Sequence, residues 1–186
     1  GSRNYSVGND IYRVTDASNP MTLIDDGGID TLDASSVSTS VTIDLHPGKS
    51  SSIGVSVEGI AKYGNVSIAG SAVIENVIGS SYDDAIIGNA ANNLVTFVGG
   101  NDIVDGDSGL DIVRFGSTSN TFRIQKESAT GYWNVEALNN EGGSLELRNI
   151  ERLQFEDTSW ALDVGGTENA GITAKILGAV FGAAAL

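Results

Sequence analysis

Aspartate and asparagine recur at a fixed spacing in the middle of the 186-residue chain. Residues 79–114 divide into four blocks of nine, GSSYDDAII, GNAANNLVT, FVGGNDIVD and GDSGLDIVR, whose sixth residues are Asp84, Asn93, Asp102 and Asp111. Carboxylate and amide oxygens in glycine-rich turns are ligands that Ca²⁺ accepts, and a cation offsets the repulsion between neighbouring carboxylates. The spacing therefore indicates cation binding. The simpler alternative is that these side chains only cap turns.

The apolar residues of the same blocks predict the fold that positions the polar ones. The eighth residues of the blocks are Ile86, Val95, Val104 and Val113. A short fixed period is typical of stacked repeats, in which each unit buries its apolar face against the next. Six turn residues followed by a three-residue strand make half a coil of a parallel β-helix, so residues 18 apart stack at about 4.8 Å. The stacked pairs are Asp84 with Asp102 and Asn93 with Asp111.

The flanking segments also predict mainly strands. DDGGIDTLD (25–33) is an isolated match to the repeat, with Asp30 in position six. Further strands are expected in GNDIYRV (8–14), VTIDL (41–45), VSIAG (66–70), AVIENVI (72–78) and SLELRNIERLQFED (144–157). Alternation in NTFRIQKE (120–127) and YWNVEAL (132–138) predicts a hairpin. Helical spacing of apolar residues after Thr167 predicts a C-terminal helix.

Composition excludes several classes of partner and site. The net charge is −14, from 24 acidic and 10 basic residues, which argues against binding to nucleic acid or to an anionic membrane. Cysteine is absent, so disulfides and thiolate metal sites are excluded. The longest apolar run, residues 172–186, is shorter than the ~20 residues of a membrane span.

Catalytic motifs are absent from the sequence, so we expect this chain not to be an enzyme. His46 is its one histidine, which rules out an H-E-x-x-H zinc site, and no G-x-S-x-G elbow is present. We interpret His46 as a surface turn residue. Trp133 and Trp160 are expected to pack in the core or a hairpin, with a sugar-stacking platform as the alternative. Asp105 and Asp107 lie off the repeat's ligand positions, except in a turn that lacks a partner, and are expected to be solvated.

The blocks at 79–114 resemble the calcium-binding nonapeptide G-G-x-G-x-D-x-U-x of RTX β-rolls. The flanks DDGGIDTLDASS, VTIDLHPGKSSSIG, NVSIAG and AVIENVIGSSYDDAIIGNAANN, in this order, resemble the C-terminal domain of serralysin-type (peptidase M10) metallopeptidases over about residues 8–116. The segment LRNIERLQFED and the following helix resemble the ends of bacterial proteins exported by type I secretion. The resemblance implies an all-β fold, in which a parallel β-roll merged with a β-sandwich is followed by β-hairpins and a C-terminal helix. We expect a domain at 3–165 and a helical tail at 166–186.

The resemblance also implies Ca²⁺ ions between stacked turns. Position-six residues would bind through side chains, and the other ligands through backbone carbonyls. The first site would use Ser80, Tyr82, Asp84, Phe97, Gly99 and Asp102. The second would use Asn89, Ala91, Asn93, Gly106, Ser108 and Asp111. A third, at the isolated match, would use Asp25, Gly27 and Asp30, with a further ligand from Asn9 or Asp10.

Two departures from the repeat bear on these sites. Asn93 replaces an aspartate, so the second site has one charge less and is expected to bind more weakly. Phe97 and Val98 replace a glycine pair, although a carbonyl ligand does not require glycine where the backbone angles are allowed.

The resemblance implies a non-catalytic calcium-binding module that folds on Ca²⁺ binding after export through the type I secretion apparatus. Its location would be extracellular or at the bacterial cell surface. Two alternatives remain open. The chain is the C-terminal part of a secreted zinc metallopeptidase or other hydrolase, with its catalytic or passenger domain upstream, or it is a structural or adhesive segment of a cell-surface protein.

Overall fold

The computed structural model describes residues 8–138 and 142–162. Within these residues the chain forms sixteen β-strands and one short 3₁₀ turn (Ser119–Thr121), and no α-helix. The expected all-β fold is therefore confirmed. The helix expected after Thr167 and the expected boundary at 165/166 lie outside the described residues.

Seven strands form one sheet of the roll. In spatial order they are β1 (Ile11–Arg13), β3 (Thr31–Asp33), β7 (Asn76–Ile78), β9 (Leu94–Thr96), β11 (Ile112–Arg114), β15 (Arg152–Gln154) and β16 (Ser159–Ala161). Neighbours pair in parallel, except for the antiparallel pair β15 and β16. The central residues of five strands pair in register and are buried: Leu32, Val77, Val95, Val113 and Leu153. This column is one wall of the core.

Six strands form the opposite sheet. In spatial order they are β4 (Thr42–Asp44), β8 (Ala85–Asn89), β10 (Asn101–Asp107), β14 (Ser144–Arg148), β13 (Trp133–Ala137) and β12 (Phe122–Lys126). The first four are parallel and the last three antiparallel, with β14 common to both parts. Its buried column consists of Ile43, Ile86, Val104 and Leu147. A third sheet consists of β2 (Met21–Leu23), β6 (Val66–Ile68) and β5 (Ser50–Ser51).

The register confirms the coil length predicted from the repeat. Ile86 pairs with Val104 and Val95 pairs with Val113, so stacked residues are 18 positions apart. One detail differs, because β10 is seven residues long and includes Asp102, which was expected in a turn. The added length arises because β14 pairs with β10 from Asn101 onward.

The roll extends beyond the last nonapeptide, through strands whose sequence does not match the repeat. After the hairpin of β12 and β13, strands β14 and β15 add one more half-coil to each sheet. The turn between them, residues 149–151, is three residues shorter than a repeat turn. Asn149 stacks on Gly106 and Arg152 pairs with Ile112, so three residues in this coil cover the same distance as six in the coil before it. This shortening conceals the coil from a nine-residue ruler.

Aromatic packing joins the end of the roll to the hairpin. Phe115 lies 4.7 Å from Phe155 and 4.8 Å from Phe122 between ring centroids, and Phe97 lies 5.6 Å from Phe115. Trp160 packs edge-on against Phe155, as expected for a packing role. Phe97 therefore replaces glycine in its block because its side chain belongs to this aromatic cluster.

The buried column gives a direct test of the fold. Val104→Ala is expected to lower the free energy of unfolding by about 2 kcal/mol, because Val104 is fully buried in the roll. Ile103→Ala removes more atoms from a side chain that is 43% exposed, and is expected to cost less than about 1 kcal/mol. Urea unfolding in one buffer compares the two. A larger cost for Ile103→Ala would contradict the inward direction assigned to position eight.

Candidate metal centre

A polar residue directly precedes each parallel strand of the seven-stranded sheet. These residues, here called the acidic edge, are Asp10, Asp30, Glu75, Asn93, Asp111 and Glu151. In four places, one side chain accepts the backbone N–H of its equivalent in the preceding coil. The bonds join Asp10 N to Asp30 Oδ1 (2.7 Å), Asp30 N to Glu75 Oε2 (2.8 Å), Asn93 N to Asp111 Oδ1 (2.7 Å) and Asp111 N to Glu151 Oε2 (2.7 Å). The acidic edge thus links the coils through side chains.

Three carboxylates of the acidic edge and its flank form a tight cluster. Asp10, Asp25 and Asp30 each place an oxygen within 4.8 Å of the other two. Asp25 and Asp30 are buried, and Oδ2 of both Asp10 and Asp30 is buried without a hydrogen-bond partner. The sequence left the further ligand open between Asn9 and Asp10. Asp10 joins the cluster, whereas Asn9 Oδ1 accepts the Ile29 N–H at 2.9 Å.

The surroundings of the cluster hold its carboxylates in place. Gly27 N–H donates to Asp25 Oδ2 at 2.8 Å, and the Tyr12 hydroxyl donates to Asp25 Oδ1 at 3.2 Å. Burial raises the pKa of Asp30 to about 6, and the charges of Asp25 and Glu75 act in the same direction. Several acidic groups are therefore concentrated at this site.

Asp84 and Asp102 stack on the opposite edge of the roll, as the 18-residue coil predicts. Asp102 Oδ1 accepts the Asp84 N–H at 2.9 Å, and both side chains are buried. The Asp84 carboxylate also accepts the N–H and hydroxyl of Ser80, each at 2.7 Å, and the N–H of Val41 at 2.9 Å. The side chain therefore organises its own turn and also links it to the preceding coil through Val41.

Burial also disfavours ionisation on this edge. Burial raises the pKa of Asp102 to about 7, and the charges of Asp84 and Asp83 raise it further. The hydrogen bond from the Asp84 N–H acts in the opposite direction. The pKa of Asp84 is raised by burial as well, although three hydrogen bonds oppose it.

Asn93 is satisfied by protein partners in a way that an aspartate could not be. Its Oδ1 accepts the Asn89 N–H at 2.8 Å, while its Nδ2 donates to Glu75 O at 3.0 Å and Asn89 Oδ1 at 3.2 Å. The Asn89 amide in turn donates to the carbonyls of Leu45 and Ile74. The amide of Asn93 therefore ties its coil to the preceding one without a second carboxylate.

Backbone carbonyls of the position-four residues point toward the next coil. A β-carbon on Gly100 would clash with the carbonyl oxygen of Tyr82, and one on Gly109 would lie 2.6 Å from that of Ala91. Both glycines have positive φ, +96° and +140°, so a larger residue is excluded by conformation as well as by space. The turns thus bring carbonyl oxygens of Tyr82 and Ala91 to the junction between coils.

Four further candidate ligands lie in turns, and Gly106 lies near the end of β10. Gly99 and Gly27 have φ values of +146° and +136°, Ser108 is exposed, and the Phe97 side chain points into the aromatic cluster. Their ligand roles rest on backbone carbonyls, so these side-chain positions are compatible with them.

The donor set fits a hard divalent cation. Carboxylate oxygens, amide oxygens and carbonyls surround the junctions, and His46 lies elsewhere. Oxygen ligands of this kind favour Ca²⁺ over Zn²⁺ or copper. The buried oxygens without partners, Oδ2 of Asp10, Asp30 and Asp111, are groups that a bound cation would satisfy.

His46 is not part of these carboxylate clusters, although the charge of its partner Asp107 also acts on Asp111. Its ring bridges Asp44 Oδ1 at 2.7 Å and Asp107 Oδ2 at 3.3 Å. The hydrogen bond to Asp44 raises the pKa of His46, and burial opposes it. His46 is in a bend, as expected. Asp107 is exposed, as expected, but it is paired with this ring.

Two acidic-edge residues were missed from sequence. Glu75 and Glu151 each precede a strand and accept the N–H of Asp30 and Asp111. The signal is present in I-E-N-V-I and I-E-R-L-Q, where the glutamate is followed two residues later by buried Val77 and Leu153. This is the position-six and position-eight pattern without the glycines of the repeat.

Comparison with known proteins agrees with the fold. Among the described residues, no helix has the length and apolar character needed to cross a membrane. A search of curated proteins returned no match to the chain. The family model described as "Peptidase M10 serralysin C terminal" matches residues 3–186 and confirms the resemblance noted in the sequence. The chain therefore belongs to the serralysin C-terminal family of peptidase M10.

Proposed function

We propose that this chain is a non-catalytic, calcium-binding module of a secreted bacterial protein, and that it folds when Ca²⁺ binds after type I export. The observation that carries the proposal is the cluster of Asp10, Asp25 and Asp30, whose carboxylates lie within 4.8 Å of one another. Buried carboxylates this close are costly unless a proton or a cation neutralises them. Ca²⁺ would remove that cost, with Gly27 adding a carbonyl ligand.

The two repeat sites extend the same principle along the roll. Asp84 and Asp102 would hold an ion with the carbonyls of Ser80, Tyr82, Phe97 and Gly99. Asn93 and Asp111 would hold a weaker one with the carbonyls of Asn89, Ala91, Gly106 and Ser108. The support for both is that 18-residue stacking brings each position-six pair into direct contact.

Ion binding would couple to folding by mass action. The ligands of each site come from two coils and meet only in the folded chain, so Ca²⁺ binds the native state selectively. One site at a free concentration 100 times its Kd adds about 2.7 kcal/mol. Low cytosolic Ca²⁺ would leave the chain at the lower stability of its metal-free state, which favours export, and external Ca²⁺ would then shift the equilibrium toward the folded state.

We further propose that a catalytic domain lies upstream in the same polypeptide. The family description places this region at the C terminus of serralysins, which favours a zinc metallopeptidase over another hydrolase. An H-E-x-x-H motif in the upstream coding sequence would support this; long arrays of further repeats would favour the adhesive alternative.

Removal of calcium tests the proposal as a whole. In metal-free buffer the melting temperature is expected to fall by at least about 10 °C, because several sites each contribute about 2–3 kcal/mol. Far-UV circular dichroism with Ca²⁺ titration and chelator reversal measures the change. Mg²⁺ at the same concentration is the control. A β-sheet signal and melting temperature that ignore Ca²⁺ would refute the proposal.

Asn93→Asp tests the role of charge at the second site. The variant is expected to bind Ca²⁺ at least about tenfold more tightly, since it adds a carboxylate ligand. Without metal it is expected to be about 1–3 kcal/mol less stable, because it loses the amide bond to Glu75 O. Calorimetry and urea unfolding measure the two effects. If Asn93→Asp binds Ca²⁺ more tightly but is as stable as the wild type without metal, the link assigned to the Asn93 amide and Glu75 O would be contradicted.

The pH dependence of the metal-free protein tests the electrostatics. The folded-state pKa values of Asp102, Asp111 and Asp30, about 7, 6 and 6, exceed the unfolded value of about 3.9. The folded state therefore binds more protons, and stability should fall as pH rises from about 4 to 7. Urea midpoints at pH 5 and pH 8 measure this. Asp102→Asn should flatten the trend; an unchanged slope would contradict the assignment.

A further inference from the structure

We propose that Asp111 and Glu151 hold a further divalent cation of calcium type, between the last nonapeptide turn and the short turn at 149–151. The inference rests on the proposed calcium-binding function and adds a site that lies beyond the repeat. One set of ligands in the proposed site would come from the turn 106–111 of the last nonapeptide. The other set would come from the following coil, whose sequence does not match the nonapeptide.

Two glycines show that the short turn takes the place of a repeat turn. A β-carbon on Gly88 would meet both Asn93 Oδ1 and the carbonyl oxygen of Gly106. A β-carbon on Gly106 would lie 2.6 Å from Asp111 Oδ2 and would also meet the carbonyl oxygen of Asn149. In each case a position-six oxygen and a carbonyl of the next coil converge on a glycine. Asn149 therefore occupies the position equivalent to Gly106 in the next coil, just as Gly106 occupies the position equivalent to Gly88.

One oxygen of the Asp111 carboxylate accepts a hydrogen bond from the preceding coil, and the other oxygen has no hydrogen-bond partner. Its side chain is buried, with only 1% of the residue exposed. Oδ1 accepts the Asn93 N–H at 2.7 Å, whereas Oδ2 is buried without a hydrogen-bond partner. The partnerless oxygen is the one beside Gly106, where the Asn149 carbonyl also converges. A cation at this junction would satisfy it.

Glu151 supplies the second carboxylate in register. Its Oε2 accepts the Asp111 N–H at 2.7 Å, the same bond that Asp111 makes to the coil before it. The charges of Glu151, Asp107 and Asp105 all reach Asp111, where they add to burial in raising its pKa. The junction therefore concentrates negative charge as well as oxygen donors. By equivalence with positions two and four, the carbonyls of Asp107 and Gly109 would complete the set.

The opposite edge of the roll lacks this continuation. There Asp102 pairs in register with Leu145, an apolar residue, where a position-six carboxylate would stand. A β-carbon on Gly143 would instead clash with the carbonyl oxygen of Gly100. The additional site is thus specific to the acidic edge.

Counting bound ions tests this site separately from the others. Equilibrium dialysis with elemental analysis would give Ca²⁺ per chain for the wild type, for Glu151→Gln and for the control Glu136→Gln. Glu151→Gln keeps an oxygen for the Asp111 N–H but loses the charge. Glu136 is an exposed partner of Arg123 on β13. We expect one ion fewer in Glu151→Gln and no change in Glu136→Gln. An unchanged count in Glu151→Gln would overturn the inference.

Two further measurements separate the possible failures. If the wild type binds no Ca²⁺, the proposed function fails; if it binds but Glu151→Gln keeps the full count, only the additional site fails. Glu151→Asp, which keeps the charge, is expected to retain the ion at saturating Ca²⁺. Loss of the ion in both variants would indicate a packing role for Glu151 and contradict the inference. Circular dichroism in saturating Ca²⁺ checks that each variant folds.

Discussion

The fold depends on one recurring interaction, in which a buried side-chain oxygen accepts the backbone N–H of the equivalent residue one coil earlier. It satisfies an amide at the start of a strand and fixes the register between coils. Its cost is a column of carboxylates in a poorly solvated edge, where burial raises the pKa of Asp102 to about 7. The same contacts that align the coils therefore create the demand for a cation.

This arrangement makes folding conditional on the environment. Short strands of three residues contribute few backbone bonds each, and the glycine-rich turns have much conformational entropy to lose. Cation binding at coil junctions would add stability where the chain has least of its own. The Asn93 amide links its coil to the preceding one by donating to Glu75 O, so this junction needs no ion. It separates the carboxylates of the acidic edge around Asp30 from those around Asp111.

The sequence predicted the strongly periodic part of the molecule. The 18-residue coil, the inward position-eight residues and the hairpin of β12 and β13 follow from spacing alone. Glu75 and Glu151 were missed because their turns lack the repeat's glycines, although each is followed by a buried apolar residue two positions later. Asp10 could not be chosen over Asn9, since the choice depends on the long-range bond between Asn9 and Ile29. Phe97 breaks the repeat because of aromatic packing with residues distant in sequence.

The most direct test of the account is anomalous scattering from crystals grown with Ca²⁺. The central claim is that the buried carboxylates at coil junctions are neutralised by cations. It predicts anomalous peaks about 2.3–2.6 Å from carboxylate oxygens of Asp30, Asp102 and Asp111. A well-ordered roll whose carboxylates show no peak, with water or protein donors in place of the ions, would contradict it.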